Sequence, residues 1–142
     1  MIRCSKRPVM DTAPVMLNVE TALATCRGDP ALVRALVEQY RANLPEERTR
    51  LTQAVAATPP DWEAVRQWAH RLRSGSGYLG AERIAAAARD LEAGILARQS
   101  TGALTVAWGA LEGAFEEWLA VPVEEWERQW RVVHRPAIGA VP

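Results

Sequence analysis

Apolar residues return every three or four positions along most of this chain, and no segment alternates apolar and polar residues as a strand does. Asp29-Pro30 puts a capping residue before a proline at the first helical position. From there Leu32, Val33, Leu36, Val37, Tyr40 and Leu44 recur at helical spacing. Pro45 removes one backbone bond and is expected to kink this helix without ending it, because Leu51 and Val55 carry the stripe onward. Thr58-Pro59-Pro60 is a break. Asp61 caps a second long helix that runs to about Tyr78, with Trp62, Val65, Ala69, Leu72, Ser76 and Leu79 inward and Gly80 at its end. A third helix starts near Ala81 and turns Ile84, Ala88, Leu91 and Ile95 inward. After the turn at Ser100-Thr101-Gly102, a fourth carries Leu104, Trp108, Leu111, Phe115 and Trp118. Upstream, Asn18 caps a short helix over Val19 to Arg27 that Gly28 closes.

The expected fold is all-α: an antiparallel up-down four-helix bundle, with a short N-terminal helix before it and a C-terminal extension after it. Short connections favour antiparallel neighbours. The expected division is a flexible lead-in over 1–17, the bundle over 18–120, and an extension over 121–142. Pro122, Pro136 and Pro142 punctuate that extension, and Trp126 and Trp130 predict a short helix that packs down on the bundle.

The chain has 142 residues, 49% of them hydrophobic, which suits one folded domain with its own core. The formal net charge is zero, so the basic footprint of a nucleic-acid binder is absent. No apolar run approaches the ~20 residues of a membrane span. Met1-Ile2-Arg3-Cys4-Ser5-Lys6-Arg7 lacks an apolar segment after its basic residues, so it does not read as a secretory signal. Cys4 and Cys26 have no metal-ligand spacing and read as free thiols in a reducing compartment. These readings point to a cytoplasmic protein without a metal site.

The candidate chemistry lies in Ala69-His70-Arg71-Leu72-Arg73-Ser74-Gly75-Ser76-Gly77-Tyr78-Leu79-Gly80-Ala81. Arg66, Arg73, Ser74 and Gly77 share the helix face of His70, and none belongs to the apolar stripe. His70 is therefore expected to face solvent. The two guanidinium groups repel an added proton and so favour the neutral, nucleophilic ring. They are also placed to hold phosphoryl oxygens by charge-assisted hydrogen bonds. Gln67 is a further candidate for that role. His134, in Arg131-Val132-Val133-His134-Arg135-Pro136, has no motif around it and reads as a solvated tail residue.

His70, Leu72, Ser76, Leu79, Gly80, Ala81 and then Leu91-Glu92 resemble the phosphorylation-site motif of histidine-containing phosphotransfer (HPt) domains, and the likeness extends over roughly residues 18–120. That motif has a lysine where Arg73 stands and a glycine where Ser74 stands. The resemblance implies that His70 is the phosphoacceptor, through its outward Nε2. It implies a carrier that accepts a phosphoryl group from a receiver-domain phospho-aspartate and passes it to another receiver aspartate. Arg73, Arg66 and Gln67 would support the phosphoryl group, and Ser74, Gly77 and Tyr78 would form the docking rim. No cofactor is expected on this chain, and Mg2+ is expected in the partner receiver. The partners implied are response-regulator receiver domains, with a hybrid sensor kinase as a possible larger context, and the chain is expected to be a bacterial monomer without its own ATP site. A helical adaptor that binds receivers without phosphorylation is the alternative, and a piece of a chemotaxis-type kinase is a third.

Overall fold

The computed structural model describes residues 13–134. Among them are the helices α1 (Val19–Thr25), α2 (Pro30–Ala56), α3 (Trp62–Leu79), α4 (Glu82–Leu96), α5 (Thr101–Leu119) and α6 (Val123–His134), and no strand. Four of these helices, α1, α2, α3 and α5, start at short polar side chains that accept the free N–H groups of a first turn. Asn18 accepts from Thr21, Asp29 from Ala31 and Leu32, Asp61 from Ala64, and Ser100 from Ala103, at 3.0–3.4 Å. α1 stops at Thr25, two residues before the expected end. Arg27 and Gly28 there turn left-handed (φ 56° and 79°), and the Gly28 N–H returns to the Leu23 carbonyl at 2.7 Å. α2 continues through Pro45, which sits on its exposed side.

The end of α3 depends on Gly80. Its φ of 94° is a conformation that L side chains resist. The Ala81 N–H reaches back to the Ser76 carbonyl at 2.8 Å, which closes the helix in a Schellman pattern. A Cβ on Gly80 would also stand 2.7 Å from the Asn18 carbonyl oxygen, so the start of α1 packs directly on this turn. The Asn18 amide donates to the Gly80 carbonyl at 2.7 Å, and the Asn18 side chain donates to Glu82 at 2.8 Å.

α2 packs on α3, α3 on α4, α4 on α5, and α5 back on α2, so four helices enclose one core. Val33, Val37, Leu44, Leu51, Val65, Ile84, Leu91, Leu111 and Phe115 lie wholly inside it. Leu32 is 51% exposed, because it lies about 100° around α2 from Val33. Trp62 and Ile95 are only partly buried at the margin of the core.

The core runs past residue 120, where the sequence pattern places the end of the bundle. α6 packs on α1 and α2 and buries Val123, Trp126 and Trp130. Trp118 is the hinge of this region. Its ring meets Tyr40 edge-on at 4.9 Å and Trp126 at 4.2 Å, and its Nε1 donates to the Met16 carbonyl at 3.0 Å. The lead-in is thus tied down over its last residues, with Leu17 buried and the Val15 N–H on Glu82 at 3.2 Å. Arg41 donates to the Leu119 and Val121 carbonyls, which closes the C-terminus of α5. Residues 1–12, with Cys4, lie outside the described residues, as do 135–142 and the side chain of His134. Cys26 is a buried free thiol, and burial pushes its pKa up.

Ser76 is a polar residue on the inward face of α3, fully buried, and its hydroxyl lies 2.5 Å from the Tyr40 hydroxyl of α2. Burial raises the Tyr40 phenol well above its usual range, against the pull of the Ser76 bond. The unfolded chain releases that proton near pH 10 and the folded chain only above it. The stability tied to neutral Tyr40 is therefore complete below about pH 10 and is lost as pH rises through the folded value. Tyr40→Phe is expected to flatten the loss in alkaline denaturation, while costing about 1–3 kcal/mol at neutral pH by stranding Ser76. Trp126→Ala is expected to cost about 3–5 kcal/mol in urea unfolding. A cost near zero would show that α6 is not part of the folded core.

Candidate functional site

α3 turns Val65, Ala69, Leu72, Ser76 and Leu79 into the core, and this rotation sets His70 on the outside. The imidazole is about half exposed, with 52% of the side chain accessible. Its Nδ1 lies 2.8 Å from Oε2 of Glu92, on α4. A carboxylate oxygen can only accept there, so Nδ1 carries the proton. In the neutral ring the lone pair is then on Nε2, and among the described residues no hydrogen bond reaches that atom.

Glu92 is itself buried, at 7% exposure. Its Oε1 makes no hydrogen bond among the described residues, and the nearest cation is Arg73, whose Nε stands 3.5 Å away. Arg73 Nη2 also lies 3.3 Å from His70 Nδ1. With Nδ1 already protonated, that is a close approach and not a hydrogen bond. Ring, carboxylate and guanidinium form one compact cluster across the α3–α4 seam.

The other expected site residues fall into two groups. Arg66 and Gln67 turn toward Glu63, one helical turn upstream. Arg66 donates to both Glu63 oxygens at 2.5 and 3.0 Å, and Gln67 donates to one at 3.1 Å. The Arg66 bonds, then that of Gln67, pull the exposed Glu63 carboxyl down to about 2. Ser74, Gly77 and Tyr78 are exposed on the same side of α3 as His70, and Tyr78 reaches 66% exposure. A Cβ added at Gly75 or Gly77 would meet nothing within 4 Å. Packing inside the chain therefore does not demand glycine there, and the surface beside the imidazole is left low and open.

Two contacts escape the sequence reading: that of Glu92 with His70, and that of Tyr40 with Ser76. Glu92 had one usable signal. It lies four residues after Ala88 and three before Ile95, on the inward side of α4, where a carboxylate needs a partner. Among the described residues no group of three or more His, Cys, Asp or Glu side chains could hold a metal ion, and no helix is long and apolar enough to cross a membrane.

The family model of the Hpt domain matches residues 35–129, about two-thirds of the chain. The chain belongs to the Hpt domain family. No curated protein and no solved structure matches it. Hpt domains are the phosphotransfer carriers of two-component phosphorelays. They interact with receiver domains and have no ATP site of their own. The Hpt match includes His70 and Glu92 and ends inside α6.

The tautomer of His70 is directly measurable. Nitrogen-15 shifts of the neutral ring are expected to show Nδ1 protonated and Nε2 bare. Glu92→Ala should shift the population toward the Nε2–H form, since the bond made by one nitrogen sets the state of the other. An unchanged tautomer in that variant would mean that Glu92 does not orient the ring.

Proposed function

We propose that His70 is the phosphoacceptor of a phosphorelay carrier, with α2 to α5 as an antiparallel up-down four-helix bundle that displays it. The observation that carries this reading is the Nδ1–Glu92 bond, which leaves Nε2 as the free nucleophile on an exposed ring. A receiver domain bearing phospho-aspartate docks over Ser74, Gly77 and Tyr78. Nε2 attacks the phosphorus in line, the bond from phosphorus to the aspartyl oxygen breaks, and the carboxylate leaves. A second receiver reverses these steps onto its own aspartate. The Mg2+ belongs to the receiver, and this chain supplies a positioned nucleophile and a surface.

Attack places positive charge on the imidazole. Glu92 holds the Nδ1 proton and balances that charge through the hydrogen bond. Arg73 already stands beside the ring and can turn to the phosphoryl oxygens, where its planar fork replaces the point charge of a lysine. Arg66 and Gln67 reach those oxygens only by leaving Glu63. On this reading the chain works as a monomer in the bacterial cytoplasm.

The test mixes the purified chain with a phosphorylated receiver domain from the same organism and follows the label. Acid-labile, alkali-stable label is expected on the wild type and none on His70→Gln, which should still bind the receiver. Arg73→Ala is expected to slow transfer, or shorten the phosphohistidine lifetime, by about tenfold, the scale of one charge-assisted hydrogen bond. Label on His70→Gln at the wild-type level would contradict the assignment. Receiver binding with no label on the wild type would favour an adaptor.

A further inference from the structure

The guanidinium groups of α3 are not equivalent. Arg66 is paired with Glu63 and Arg73 with Glu92. Arg71 has no carboxylate within ion-pair distance among the described residues, although it is exposed and adjoins His70 in sequence. Its guanidinium carbon instead lies 4.9 Å from the ring centroid of Trp68, one turn back on the same helix. Trp68 is partly buried against the core in the seam between α3 and α2. Arg50 of α2 also lies over that ring, at 4.8 Å, but its charge is answered by Glu46 at 2.7 Å. These residues line a groove of about 270 Å³ with Asn43 and Glu47. Glu47, the groove's remaining carboxylate, feels the charges of Arg50 and Arg71 but makes no ion pair with Arg71, and burial pushes its carboxyl up.

We propose that Arg71, held on Trp68, is a specificity-determining contact for the receiver domain that docks over His70, and that it takes an acidic side chain of that receiver. The inference rests on the carrier reading of His70. Arg71 lies about 100° around α3 from His70, on the exposed side. An interface of standard size covers about 800 Å² of each partner, so one centred on His70 also spans this neighbour. Stacking restricts the Arg71 side chain before the partner arrives, which lowers the ordering cost of binding. A planar guanidinium that makes no direct ion pair among the described residues pairs best with a carboxylate, in bidentate geometry. As an exposed charge, it also speeds encounter with an acidic surface and makes encounter salt-sensitive. Receivers with a neutral or basic residue at the facing position are then poor partners.

The experiment uses the full chain and the receiver domain of the same genome that charges it fastest. Transfer is measured against receiver concentration at several salt concentrations. Arg71→Glu is expected to raise the half-saturating receiver concentration about 10-fold and to flatten its salt dependence. Arg71→Gln should give a smaller rise and Arg71→Lys should retain the salt dependence. Circular dichroism checks that each variant is folded. Reversing the charge of the facing acidic residue in the receiver should restore transfer to Arg71→Glu. A half-saturation point for Arg71→Glu and Arg71→Gln within twofold of wild type overturns the inference. Phosphoramidate, a small phosphodonor that needs no docking, separates the two levels. If it does not label His70 of the wild type, the carrier reading fails. If it labels the wild type and no receiver does, the docking inference fails.

Discussion

The carboxylate of Glu92 is withdrawn from water, and the groups that answer its charge lie on the neighbouring helix. An ionised side chain in that position is costly unless it is paired. Here His70 takes one oxygen and Arg73 stands near the other. The pairing depends on the turn at Gly80 and Ala81, which sends α4 back along α3. Residue 70 is ten positions before Gly80 and residue 92 is eleven after Ala81, so a nearly equal rise along the two helices brings them face to face. Lengthening that turn, or adding a side chain at Gly80, would shift the register on which the site is built.

Two part-buried polar contacts fix how α3 is rotated. Ser76 binds Tyr40 on the α2 side, and His70 binds Glu92 on the α4 side. The apolar stripe alone would tolerate a modest rotation. The polar pairs would not, because a small turn strands a hydroxyl and a carboxylate inside the protein. The same rotation presents Nε2 outward and leaves Ser74, Gly75 and Gly77 as a low surface beside it. Packing and the orientation of the imidazole are thus one constraint. α6 and the lead-in act farther away. Their described residues close the end of the core around Trp118.

Much of this was legible in the chain itself. Asn18, Asp29-Pro30 and Asp61 mark helix starts because each can accept a first-turn N–H, and Gly80 marks an end because of its left-handed backbone; Ser100 reads only as part of a turn, although it caps α5. His70 is placed outside by the stripe of Val65, Ala69 and Leu72. Less legible were contacts between distant residues. Glu92 reaches His70 across 22 positions, and no local spacing announces it. Arg66 and Gln67 were visible as neighbours of His70, but Glu63 lies three and four residues before them and competes for the same donors. The pattern also predicts a packed helix near Trp126 and Trp130. It does not show that Trp118 joins that helix to the core, since those ring contacts depend on how α5 sits against α2 and α6.

The proposed transfer uses Nε2 of His70, the ring nitrogen that Glu92 leaves free. The direct measurement is heteronuclear NMR of the phosphorylated chain, labelled with nitrogen-15, reading the coupling between phosphorus and each ring nitrogen. Phosphorus is expected on Nε2, with Nδ1 still protonated toward Glu92. Phosphorus on Nδ1 would contradict the account, because that atom would have to give up the carboxylate on which the site is built.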